Sequence, residues 1–101
     1  MQTTKLTAQE IIRLEYGNSK NLMTPTVVSY GKIQGIYAYE ISKGRGITDT
    51  VIYGLSVVKY DPDHKSTERL YEASGCFNSL DEVRAQVKEL RKKLAWRAAN
   101  G

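Results

Sequence analysis

The run Thr50-Val51-Ile52-Tyr53-Gly54-Leu55-Ser56-Val57-Val58-Lys59-Tyr60 is rich in β-branched and aromatic residues and free of proline, so its backbone is expected to be an extended strand. On a pleated strand Val51, Tyr53, Leu55 and Val57 fall on one side, against Ile52, Gly54, Ser56, Val58 and Tyr60 on the other. The first set is expected to face the core. Downstream, Asp61-Pro62-Asp63 opens a polar loop that runs to Thr67, with proline fixing φ for a type I turn, and a further strand is expected over Arg69 to Ala73. Upstream, Thr26-Val27-Val28-Ser29-Tyr30 follows Pro25 and has the same strand composition. Gly31 and Gly35 bracket a bend or tight turn before Ile36-Tyr37-Ala38-Tyr39-Glu40-Ile41 resumes, as one bent strand or as a hairpin. Lys43-Gly44-Arg45-Gly46 reads as a flexible connection into the Thr50 strand.

Helices are expected on either side of this strand region. Thr7-Ala8-Gln9-Glu10 is a capping box, in which each end residue satisfies the other's free backbone N–H. Leu6 and Ile11 can close a hydrophobic staple around it, and Ile11, Ile12 and Leu14 continue an apolar stripe until Gly17, Asn18 and Ser19 stop the helix. Ser79-Leu80-Asp81-Glu82 is a second capping box, after which Leu80, Val83, Val87, Leu90 and Leu94 follow helical spacing on one side. Asp81 and Glu82 at its start and Arg91, Lys92 and Lys93 near its end suit the helix dipole. Trp96 either folds back on the core or stays exposed as a binding anchor. The expected fold is a single α+β domain over residues 1–101: an antiparallel sheet of three to four strands, with the N-terminal and C-terminal helices packed on one face in the order α-β-β-(β)-β-α. The other face would then meet water or a partner.

Composition narrows the function. The 101 residues are 41% apolar and 26% charged, an ordinary globular balance with no apolar run long enough to span a membrane and no internal repeat. The opening Met-Gln-Thr-Thr-Lys lacks the apolar segment of a signal peptide, so a soluble cytoplasmic protein is expected. Cys76, the single cysteine, cannot form an intramolecular disulfide or a thiolate zinc cluster. Its position beside a helix start can lower a thiol's pKa, but flanking Ala73 and Phe77 favour a buried small hydrophobe. His64, the single histidine, sits in the Asp61-Pro62-Asp63-His64 turn, which lacks the glycine and distant glutamate of a calcium loop. Gly44-Arg45-Gly46 lacks the strand-turn-helix context of a phosphate loop. No catalytic residue, metal site or cofactor is therefore expected.

Two features point to binding. Arg84, Lys88, Arg91, Lys92, Lys93 and Arg97 give the last helix a basic outer side, able to neutralise phosphates or an acidic surface. Seven tyrosines stand against one phenylalanine, and on strands such rings suit a partly exposed face that stacks on bases or contacts protein. Tyr37 and Tyr39 share one pleat side and Tyr60 lies opposite the core set of its own strand, so all three are expected to be reachable. The expected partner-binding residues are Tyr37, Tyr39, Tyr60, Lys43, Arg45, Arg84, Lys88, Arg91 and Lys92.

The element order superficially resembles the double-stranded-RNA-binding domain over most of the chain. That family grips phosphates with lysines at the start of its last helix, whereas Ser79, Leu80, Asp81 and Glu82 stand there in this chain, and carboxylates would repel RNA. The three-strand-plus-helix part is also loosely similar to the integrase-type DNA-binding fold, without an Arg/Trp-patterned reading strand. The function expected is that of a small non-enzymatic inhibitor or adaptor, monomeric or weakly dimeric and not membrane-bound. Like proteins carried by phages and mobile elements, it would mask a surface of a protein or nucleoprotein machine, a CRISPR effector complex being one such target. The alternative is direct nucleic-acid binding through the basic C-terminal helix.

Overall fold

The structure, a computed structural model, describes residues 5–17 and 26–100. They form α1 (Ala8–Tyr16), β1 (Thr26–Ile33), β2 (Tyr37–Arg45), β3 (Val51–Asp61), β4 (Ser66–Phe77) and α2 (Leu80–Asn100). The strands make one antiparallel meander in the order β1-β2-β3-β4, so the fold is α+β with a helix at each end of the chain.

The turns explain the register. Between Ile33 and Tyr37 the chain reverses through Gln34 and Gly35, both left-handed (φ 53° and 80°), as hairpin turns require. The Gly31 to Gly35 segment is thus a hairpin turning at Gly35, with Gly31 inside β1. Gly46 to Asp49 closes the next hairpin, with the Gly46 N–H donating to Thr50 O at 2.8 Å. The expected flexible connection at Lys43 to Gly46 is corrected, since β2 pairs with β3 as far as Arg45↔Val51. In the third turn the Asp61 carboxylate accepts from the Asp63 and His64 backbone N–H groups at 2.9 and 3.3 Å, an Asx turn that leads into β4 three residues earlier than expected.

Cross-strand pairs sort the side chains into two layers. Tyr39↔Val57, Ile41↔Leu55 and Val57↔Tyr71 lie on one side of the sheet, where they pack with Ile33 and with Val83, Val87 and Leu94 of α2. Ala38↔Val58 and Tyr60 lie on the other side, buried with Ala8, Ile11 and Ile12 of α1. The expectation that both helices share one face is corrected: α1 and α2 pack on opposite faces. β3 carries apolar residues on both sides of its pleat at the Val57-Val58-Tyr60 end, and each set must be covered. α1 is only nine residues long and covers that end alone. Its capping box is in place, with Glu10 N–H donating to Thr7 Oγ1 at 3.2 Å and Thr7 N–H to Glu10 Oε1 at 3.0 Å. Gly17 stops it at φ 66°, while Asn18, Ser19 and Pro25 lie outside the described residues. Leu14, expected in the apolar stripe, is instead 56% exposed.

α1 is tied to β4 by polar contacts. Glu15 accepts from Thr67 Oγ1 at 2.8 Å and from Arg69 Nε at 2.9 Å, and the Arg69 guanidinium lies 4.5 Å from the centre of the Tyr16 ring. Among the described residues no helix is long and apolar enough to cross a membrane.

Candidate functional site

α2 starts three residues after Phe77, which pairs with Tyr53 at one end of the sheet, and packs back over the layer. Ser79 Oγ accepts from the Glu82 N–H at 3.2 Å, while the Glu82 carboxylate accepts from the Asn78 N–H at 2.9 Å, one residue earlier than a capping box places it. Only one side of the helix is buried. Its flank toward β1 leaves a groove of about 400 Å³. Tyr39, Ile41 and Val87 line its apolar part, Ser29 and Tyr30 border it from β1, and Arg84, Lys88 and Arg91 border it from the helix.

Three cations at positions i, i+4 and i+7 occupy one flank of a helix because 3.6 residues make a turn. Among the described residues Arg84, Lys88 and Arg91 hold no ion pair with a carboxylate. Glu82 is engaged by the Asn78 N–H, and Glu89 lies 3.7 Å from Lys92. The groove therefore presents positive charge with no carboxylate partner among the described residues, beside an aromatic ring. Tyr39 lies against Gly31 across the strand pair, so close that a Cβ at Gly31 would overlap the end of its ring. The ring is half-buried, with its other contacts in the α2 core.

The structure thus brings Tyr39, Arg84, Lys88 and Arg91 together. Lys92 stands one turn beyond Lys88 and is exposed. Lys43 is exposed on the same side of β2 as Tyr39, opposite Tyr53. Arg45 is drawn to the hairpin tip by an ion pair with Asp49 at 3.0 Å. Tyr37 is half-buried against the α2 core. Tyr60 is corrected: it is 7% exposed beneath α1, because the side of β3 expected to be open carries a helix. Ser29, Tyr30, Ile41 and Val87 also line the groove and are not among the partner-binding residues the sequence points to. Only the cross-strand register and the seating of α2 place them there.

Other chemistry-bearing groups are scattered. His64 Nδ1 lies 2.7 Å from Asp61 Oδ2 in the turn, and that contact lowers the Asp61 pKa. Cys76 is exposed rather than buried, a correction that follows from Phe77 pairing with Tyr53 on the α2 side and turning its neighbour to the opposite side. His64 and Cys76 sit at opposite ends of β4. Among the described residues no group of three or more His, Cys, Asp or Glu side chains can hold a metal ion. Scanned against protein-family models, curated proteins and solved structures, the chain matches none.

Proposed function

We propose that this protein is a non-enzymatic binding module that grips a nucleic-acid backbone, free or within a nucleoprotein machine, in the groove between α2 and β1. The observation that carries this reading is the row Arg84, Lys88 and Arg91, unpaired with carboxylates among the described residues and facing Tyr39 across a groove. Arg84 and Arg91 are about 10 Å apart along the helix axis, long enough for the row to meet more than one phosphate of a strand. Guanidinium groups suit phosphate because their planar fork donates two parallel hydrogen bonds. The carboxylates of the first turn, which would repel RNA at the helix start, lie outside the groove lining.

An inhibitor that masks a protein through an open tyrosine face has weaker support, since Tyr60 is buried beneath α1 and Tyr37 and Tyr39 are half-buried against the α2 core. The separation of His64 from Cys76 supports the non-enzymatic part of the reading. Fluorescence anisotropy with labelled single strands and duplexes across a salt series tests it. Binding should weaken steeply with salt, and replacing Arg84, Lys88 and Arg91 together by glutamine should lower the slope of log K against log salt by about 2–3. Absence of binding at low ionic strength would refute it.

A further inference from the structure

Beyond the groove, the cations continue along α2 in a single row that ends in an aromatic ring. Arg84, Lys88, Lys92 and Trp96 recur at every fourth residue, the spacing that builds a continuous ridge on a helix surface. The ridge is about 18 Å long. Trp96 is 65% exposed, although Leu94 two residues before it is buried in the α2 core. Lys92, Lys93, Trp96 and Arg97 enclose a shallow hollow of about 310 Å³. Trp96 stands largely exposed among the side chains of Lys92, Lys93 and Arg97, so positive charge lies beside an accessible aromatic surface. The ligand it fits is one that brings both negative charge and a flat π-face.

Resting on the nucleic-acid reading above, we infer that the ligand is single-stranded, with its phosphates along the Arg84-Lys88-Lys92 ridge and one base stacked on Trp96. A duplex keeps its base faces inside its own stack and offers the indole nothing but an end. A single strand can turn one base onto the ring at little cost. Lys93 and Arg97 then flank the stacked nucleotide and meet its phosphate.

Trp96 is the sole tryptophan of the chain, so its emission reports this contact directly. The protein is titrated at low salt with an oligothymidylate of about a dozen nucleotides, an abasic phosphodiester of equal length, a duplex and polyglutamate. Expected are saturable quenching with the oligothymidylate alone and an affinity about tenfold above that of the abasic chain, in line with the worth of one stacked base. By anisotropy, Trp96→Ala should erase that tenfold difference and leave abasic binding unchanged, while Trp96→Phe should keep most of it. Binding of oligothymidylate without quenching, or equal affinity for the abasic chain, overturns the stacking inference but leaves the groove reading intact. Equal quenching by polyglutamate assigns the ridge to an acidic polypeptide and overturns the inference as well. Failure of every nucleic acid to bind removes both readings.

Discussion

The Tyr39 ring lies across Gly31 on the neighbouring strand, filling the space that a side chain on Gly31 would take. The pair sits at the border of the cationic groove, so the glycine sets where the ring stands.

Replacing Gly31 by alanine has two opposed effects. Alanine restricts the unfolded chain more than glycine and suits a strand better, worth about 0.5–1 kcal/mol. The methyl group also displaces the end of the Tyr39 ring, an overpacking that costs about 1–3 kcal/mol. Gly31→Ala is expected to destabilise the parent protein by about 1 kcal/mol. In a Tyr39→Ala background the overlap is gone, so the same change should stabilise by a few tenths to 1 kcal/mol. Urea unfolding of the four proteins of this double-mutant cycle measures the sign change, and the same sign in both backgrounds would contradict the packing described.

How far the sequence announces this arrangement depends on how local each signal is. The Thr7 and Ser79 caps and the alternation of Val51 to Tyr60 are decided within a few residues, and they appear where the residues require them, with Glu82 alone shifted to Asn78. Which face a helix covers is not local. Val58 and Tyr60 look like half of an open pleat until Ala38 pairs beside them and α1 lands on all three. The cations of α2 are legible as a basic stripe, but the groove exists because β1 shifts register between Val27 and Ser29 and so sets Ser29 opposite Ile41. The exposure of Cys76 is not legible for a similar reason, since it depends on the pairing of Phe77 and on Gly75 at φ 65° within β4.

The two-sided sheet has its own consequence for stability. Ile11 is completely buried between α1 and the sheet, whereas Leu14 on the same helix is 56% exposed. Ile11→Ala should cost about 2–5 kcal/mol, the range for emptying a core position, and Leu14→Ala should stay within about 0.5 kcal/mol. Denaturant midpoints of the two variants check this. A small loss at Ile11 would mean that α1 does not cover the Val58 side.

The groove cations should be separable from the fold. Arg84, Lys88 and Arg91 are exposed and hold no ion pair with a carboxylate among the described residues, so glutamine at all three should move the unfolding free energy by less than about 1 kcal/mol. Denaturant unfolding of the triple variant measures it. A larger loss would make these side chains part of the packing, and weakened ligand binding could then no longer be read as lost charge.

Glu15 carries the acid sensitivity of the α1 contact. The hydrogen bond from Thr67, and after it that from Arg69, hold its carboxyl below the ordinary value of 4.5, against the opposing effect of burial. A carboxyl whose pKa is depressed on folding adds stability that is fully present above its unfolded pKa and fades as pH falls through the folded one. Below about 4.5 the Thr67 and Arg69 contacts should therefore weaken progressively. Glu15→Gln removes the charge at all pH values, so the variant should unfold more easily than the parent at neutral pH, with the gap closing as the parent is acidified. Thermal unfolding from neutral pH to about pH 3 reads this directly. A gap that stays constant, or widens in acid, would mean that Glu15 contributes by shape alone and that the Arg69 pair does nothing to hold α1 on β4.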